Sequence, residues 1–446
     1  MLLRAVLWLT VAWNAGPLLG GPPNVVVLLV DDLGVGDVGF SGGTDVPTPC
    51  IDRLAREGAV CTDAYVTPSC SPTRAALLTG RYPSRFGIED NRPLDGPTAA
   101  LDLREVLLPE LLRKHGYHTG LFGKWHLGQG AYGPMARGFE EFCGWIGASG
   151  KYLDPPLLSG TTRAVHAGWV DDILAAKAAA FIREHAAEPF FLHVGFMAAH
   201  LRQEAEEADL ARFAHLDGKR RMAAAIISRL DAAVGRVVDA IRDAGLDGRT
   251  LVFFLSDNGG EPPVLGTSNG PYRGQKFDVL EGGIRVPFAV RWPGVVPAGL
   301  RFPSPVHCMD VFATTVAAAG IAPAVEIDGV DLLPYLRGET RGVPHERLFW
   351  IYNDHADWRR TDQDTNRARR LAAVREGRWK CVMAGDRPVG LYDLQTDPGE
   401  RHDLSPVQPG RVAAMQRAFE EWYAEMIPQV VADDHPIYGR DGRARP

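Results

Sequence analysis

The chain is poor in cysteine, and the six it has (Cys50, Cys61, Cys70, Cys143, Cys308 and Cys381) are scattered, with no Cys-x-x-Cys pair. That excludes a zinc ribbon and a small disulfide-dense scaffold. None of the seven asparagines begins an Asn-x-Ser/Thr sequon. N-glycosylation is therefore not expected, which disfavours routing to a lysosome through glycan tags. Cations are not in surplus. Lys and Arg number 48 against 55 Asp and Glu, a formal charge of -7. This argues against nucleic acid as the main partner, because phosphates would go unneutralised. A small anionic substrate stays open, since it meets only its pocket. No segment is long and apolar enough to read as a membrane span. The apolar stretch Ala5 to Trp13, after Arg4, is short and matches a signal-peptide core over residues 1–20, which predicts export to a periplasm or the medium. There is no internal repeat and no low-complexity tract.

With 446 residues, one large domain and a smaller one are expected. Val25 to Val30 and Leu251 to Leu255 are continuous apolar runs and read as strands buried on both faces. Phe190 to Phe196 reads similarly, with a polar interruption. Helical patterns lie between them, over 51–57, 104–115, 169–184 and 220–244. Strands alternating with helices predict an α/β core with a mainly parallel sheet, whose sites form beyond the carboxyl ends of the strands. Past a Pro/Gly-rich stretch near 335–345, short strands over 371–375, 379–383 and 391–394 precede a helix over 411–426. They predict a small α+β C-terminal domain, with units at 24–338 and 339–446.

Functional residue types fall at the predicted strand ends. Asp31 and Asp32 close the first run, and adjacent carboxylates repel unless a cation or hydrogen bonds offset them. Asp257 and Asn258 close another. Oxygen ligands suit Ca²⁺ or Mg²⁺ rather than zinc. Cys70-Ser71-Pro72-Thr73-Arg74 sits at a loop-to-helix junction. Ser71 reads as a helix cap and Pro72 as the first helical residue. Cys70 would then lie before the positive end of a helix dipole, with its thiol acidified and exposed. Gly123-Lys124-Trp125-His126-Leu127-Gly128 places a cation and an imidazole two residues apart, and an extended backbone would point both to one side. It is not a Walker A loop, because the glycine spacing and the following Ser/Thr are missing. His200, after a predicted strand, is a candidate general acid. Taken alone, each of these residues would more often be structural.

Together these segments resemble the type I sulfatases of the alkaline-phosphatase-like superfamily. Cys70 to Arg74, running on to Pro83, resembles one family signature. Gly116 to His126 resembles a second. Asn24 to Asp32, Ser256 to Gly259, Lys276 to Pro287 and Leu391 to Glu400 resemble further blocks, in the family's order.

The resemblance implies a large mixed, mainly parallel sheet sandwiched by helices, with a smaller α+β C-terminal domain. It implies that Cys70 is oxidised to formylglycine by a formylglycine-generating enzyme. Asp31, Asp32, Asp257, Asn258 and residue 70 would bind Ca²⁺ or Mg²⁺. Arg74, Lys124 and Lys276 would stabilise the nucleophile and the sulfate oxygens. The formylglycine hydrate would attack sulfur, His200 would assist the leaving alcohol, and His126 would help expel sulfate. Ser149 lies near a family serine that contacts substrate. The implied reaction is hydrolysis of a sulfate ester, on a small molecule or a glycan. Alternatives are a phosphonate or phosphate monoester hydrolase with the same nucleophile, or a non-catalytic binder of sulfated glycans; an oxygen-only ligand set disfavours a two-zinc phosphatase. The chain departs from the family's His-x-Pro pattern at Met197-Ala198-Ala199-His200-Leu201-Arg202, and it carries Cys50 where the family commonly has Asn.

Overall fold

The computed structural model describes residues 21–91, 100–353 and 370–426. The predicted signal segment lies outside them. The strands, in chain order, are β1 (Asn24–Val30), β2 (Ala59–Cys61), β3 (Ala64–Tyr65), β4 (His118–Lys124), β5 (Glu141–Trp145), β6 (Pro156–Ser159), β7 (Thr162–Val165) and β8 (Phe190–Gly195). They continue as β9 (Thr250–Ser256), β10 (Phe288–Arg291), β11 (Leu300–Phe302), β12 (Val306–His307), β13 (Arg347–Asn353), β14 (Arg370–Glu376), β15 (Trp379–Ala384) and β16 (Arg387–Asp393).

Ten strands form one sheet in the order β11-β2-β10-β9-β1-β8-β4-β5-β6-β7. Its centre is parallel: β1 pairs with β9 and β8, and β4 with β8 and β5. Antiparallel pairing begins where β10 meets β9 and where β6 meets β5. The continuous apolar runs follow from burial on both faces. Val26, Leu28 and Val30 face the helices Val170–Glu184 and Gly218–Asp243. Val25, Val27 and Leu29 face the helices Cys70–Thr79 and Asp310–Ala318. Burying each such side chain is worth roughly 1.5–3 kcal/mol.

The helix expected over 104–115 spans only Leu108–Lys114. Pro109 lies in its first turn and has no N–H to carry the helix further back, and the Glu110 carboxylate caps the Leu107 N–H at 2.8 Å.

Strands β13 to β16 form a separate four-stranded antiparallel sheet. The helix Pro409–Glu425 covers one face, setting Met415 and Phe419 against Ile351, Val374 and Cys381. The other face meets Tyr65, Val279 and Ile284, and the Trp350 indole donates to the Val66 carbonyl at 2.9 Å. Among the described residues, no helix is long and apolar enough to cross a membrane. All six cysteines are free thiols. Cys50 is accounted for structurally. Its N–H and that of Ile51 donate to Asp231, and its thiol packs where a side chain at Gly235 would collide.

Candidate active site

The carboxyl ends of four adjacent strands, β9, β1, β8 and β4, converge on one cluster. Val30 pairs with Ser256 and Leu29 with Gly195, so the residues after β1, β9 and β8 leave the sheet at one level. Three glycines let the backbones pinch there. Gly123 has φ +117, and a Cβ on it would lie 1.9 Å from the Gly195 carbonyl oxygen; one on Gly144 would lie 1.9 Å from that of Gly123. Asp32, His126 and Phe277 also hold positive φ without being glycine. Such strain of about 1 kcal/mol or more per residue gathers at functional sites.

The cluster contains three buried carboxylates and three buried cations. Lys124 Nζ lies 2.6 Å from Asp31 Oδ2, and Lys276 Nζ 2.7 Å from Asp32 Oδ1. Arg74 puts Nη2 at 2.7 Å and Nε at 3.2 Å from Asp257 Oδ2, and donates Nη1–H to the Lys124 carbonyl at 3.1 Å. Burial opposes ionisation of Asp31, but Lys124, Arg74 and Lys276 overcome it and hold the carboxyl well below the usual range. Asp257 goes the other way, pushed up to about 6 by burial and by the Asp31 charge.

Cys70 corrects the sequence reading. The helix begins at Cys70, not Pro72, and its cap is Ser69. Ser71 does not cap it; its hydroxyl donates to the His126 carbonyl at 3.1 Å. The thiol is fully buried rather than exposed. It is not acidified: burial, Asp257 and Asp31 push its pKa up. Burial, with the neighbouring carboxylates, outweighs the helix end, so residue 70 is a poor thiolate. Its S–H faces Asp31 Oδ1 at 3.3 Å and Asn258 Oδ1 at 3.4 Å. The Asn258 amide nitrogen donates to Asp32 Oδ1 at 2.7 Å, which leaves its oxygen turned toward residue 70.

Asp31, Asp32, Cys70 and His200 each offer a ligand atom within 4.8 Å of the others. With Asn258 Oδ1 the donor set is rich in oxygen and suits a hard divalent cation. A second His/Glu group, His118, His185 and Glu188, lies at the opposite end of the sheet. There both imidazoles already pair with carboxylates, His118 with Glu188 and His185 with Glu141.

His200 is 5% exposed, with Nε2 at 3.7 Å from Asp32 Oδ2. Burial drives its pKa down to about 3, and that of His126 well below the ordinary value, so both rings are neutral. An arriving anion would favour their protonation. Nδ1 of each is buried without a partner. Ser149 is half-buried in the loop after β5, and no hydrogen bond joins it to the cluster among the described residues. The other ten predicted site residues are brought together.

The sulfatase family model matches residues 23–321. The chain belongs to the sulfatase family. A second model, the C-terminal region of N-sulphoglucosamine sulphohydrolase, matches residues 275–424. Arylsulfatase A of Bos taurus is 34% identical, over 89% of this chain and 86% of its own. Steryl-sulfatase of Mus musculus is 32% identical, over 86% and 79%. A crystal structure of Ps i-CgsB has a TM-score of 0.84 at 31% identity, covering 92% of this chain and 94% of that one. Phosphonate monoester hydrolase of Agrobacterium radiobacter shares the fold, with a TM-score of 0.65 at 23% identity over 90% of this chain and 95% of that one. This sulfatase is a sulfuric ester hydrolase.

Two buried residues beside the cluster escaped the sequence reading. Asp171 and Tyr152 hold the loop that carries His200. Asp171 lies in the first turn of the helix Val170–Glu184, where an acidic residue is ordinary because the dipole favours it.

Proposed function

We propose that the chain removes sulfate from carbohydrate or aryl sulfate esters, using a formylglycine made from Cys70 and a divalent ion, Ca²⁺ or Mg²⁺. The observation that carries this reading is the Cys70 sulfur between Asp31 Oδ1 and Asn258 Oδ1, within reach of three buried cations. Asp31, Asp32, Asp257, Asn258 and residue 70 would hold the ion, which would supply fixed positive charge where negative charge grows on sulfate. Formylglycine, as its hydrate, would supply a hydroxyl nucleophile in place of a thiol held protonated by burial. Arg74, Lys124 and Lys276 meet the sulfate oxygens without water, where a fixed charge acts most strongly. His200 donates a proton to the leaving oxygen. His126, with Nδ1 unpartnered, is free to take a proton at that atom. Ser149 remains a candidate substrate contact.

Relatives named arylsulfatase A and N-acetylgalactosamine-6-sulfatase support the substrate class, as does a 30% identical structure bound to k-i-k-neocarrahexaose. The reading includes maturation by a formylglycine-generating enzyme, export through residues 1–20, and a division into units at 24–338 and 339–446. The separate sheet beginning at Arg347 supports that division.

The test is release of sulfate against phosphate from matched aryl esters. The chain is co-expressed with a formylglycine-generating enzyme, with Cys70→Ala in parallel. Sulfate release lost in the variant is expected. Cys70-dependent phosphate release that dominates would replace this reading with a phosphoesterase.

A further inference from the structure

The His200 ring makes no hydrogen bond among the described residues. Its Nδ1 is buried and unpartnered, and its Nε2 is 3.7 Å from Asp32, beyond bonding range. A general acid usually has its ring aimed by a second side chain. Here the aim is set by the main chain alone, so whatever fixes that main chain fixes the acid.

Four residues separate the end of β8 from His200. On one side they are stitched to the end of β1. The Asp31 N–H donates to the Ala198 carbonyl at 3.0 Å, and the Ala199 N–H to the Asp31 carbonyl at 2.5 Å. On the other side two buried side chains hold them. Asp171 Oδ1 accepts the Met197 N–H at 2.9 Å, three residues before His200. The Tyr152 hydroxyl points its one hydrogen between the His200 carbonyl at 3.1 Å and the Met197 carbonyl at 3.3 Å. The two holders are themselves joined. The Val170 N–H donates to the Tyr152 carbonyl at 2.7 Å, Leu153 bridges to Trp169, and the rings of Tyr152 and Trp169 meet at 5.1 Å.

We propose that Asp171 and Tyr152 are positioning residues that aim His200 at the leaving-group oxygen. The inference rests on the sulfatase reading of the site. Both residues are fully buried, and neither touches the carboxylate and cation cluster. A buried carboxylate is costly; burial, Asp172 and Asp31 push its pKa up to about 7. The Met197 amide bond offsets part of that cost and grips the main chain just before His200.

The role predicts a signature that loss of general stability does not. An acid matters most when the leaving group is a poor one. The test is kcat and KM for matured enzyme on aryl sulfates of graded leaving-group acidity, from 4-nitrophenyl to phenyl sulfate. His200→Ala, Asp171→Asn, Tyr152→Phe and the double variant Asp171→Asn/His200→Ala are compared. Asp171→Asn and Tyr152→Phe are expected to lower kcat on phenyl sulfate by about tenfold, within the range for a misaimed acid. The nitrophenyl ester should be nearly unaffected and KM unchanged. The double variant should be no slower than His200→Ala. Equal losses on every ester, or losses that multiply with His200→Ala, would overturn the proposal. Should Asp171→Asn not fold, Tyr152→Phe, which removes one hydroxyl, decides alone. Wild-type enzyme without Cys70-dependent sulfate release would overturn the underlying reading instead.

Discussion

Lys380 and Glu281 meet at 2.9 Å with neither side chain exposed, across the junction between the four-stranded sheet and the loop that carries Lys276. Lys380 also lies 2.9 Å from Glu400, and Glu400 accepts the Glu281 N–H at 2.7 Å. Burial opposes charge on Lys380, but the two carboxylates overcome it and raise its pKa. Replacing Lys380 by Met would leave Glu400 without its cation and facing Glu281, which keeps Arg285 at 3.2 Å. Breaking such a pair costs about 3–5 kcal/mol. Urea unfolding of Lys380→Met should show a loss of that order. A loss under 1 kcal/mol would mean the junction is not held by this ion cluster.

Arg74 holds Asp257 with two nitrogens and the Lys124 carbonyl with a third. A lysine carries the charge but lacks the planar fork. Arg74→Lys should therefore lower kcat by about 10²–10³-fold, the scale for losing one preorganised donor, with circular dichroism unchanged. Activity within threefold of wild type would show that charge alone suffices.

Three carboxylates converge where the proposed ion would lie. Removing it with a chelator should abolish sulfate release and lower the melting temperature, and Ca²⁺ or Mg²⁺ should restore both. An ion at about 100 times its Kd adds about 2.7 kcal/mol to the folded state. Asp31→Asn should remove the metal-dependent melting shift. A shift that persists in Asp31→Asn would place the ion elsewhere.

Histidines set opposite slopes in stability against pH. His345 lies 2.8 Å from Asp310, which overcomes burial and raises its pKa above the ordinary 6.5. Its stabilisation is fully present below 6.5 and is lost as pH rises through the raised value. Burial lowers His193 and His307 to about 3. The unfolded chain binds protons there more readily, so these two stabilise above 6.5 and lose that effect as pH falls toward 3. His345→Gln should flatten the decline above 6.5 and leave the acid limb intact, as read from urea midpoints across pH. An unchanged alkaline limb would count against the His345–Asp310 pair.

Local pattern made much of this legible. Val25 to Val30 is apolar on both faces because both faces are covered, and Asp31-Asp32 and Asp257-Asn258 follow their strands directly. What local pattern missed depends on long-range meetings. Cys70 looked exposed because Ser71-Pro72 resembles a cap. Its true neighbours, Asp31 and Asn258, come from 39 and 188 residues away, and burial with the Asp257 and Asp31 carboxylates reverses the expected acidity. Glu281 and Lys380 are 99 residues apart, and Asp171 grips the Met197 amide 26 residues on. No periodicity encodes such pairs.

Two glycines with positive φ separate backbone strain from crowding at the site. Gly116 (φ +83) precedes β4 and has open space where a Cβ would sit. Gly123 (φ +117) ends one residue before Lys124, and its Cβ would lie 1.9 Å from the Gly195 carbonyl oxygen, a backbone atom that cannot rotate away. Gly116→Ala should cost only the left-handed penalty, about 1–2 kcal/mol, and keep activity. Gly123→Ala, at a φ further from the left-handed well, carries at least that penalty and must also part β4 from β8. Those two strands set Lys124 against Asp31 and carry the loop to His200, so it should lose sulfate release and several degrees more of melting temperature than Gly116→Ala. Comparable melting losses in the two variants, with activity retained in both, would show that the pinch between β4 and β8 is not what places Lys124.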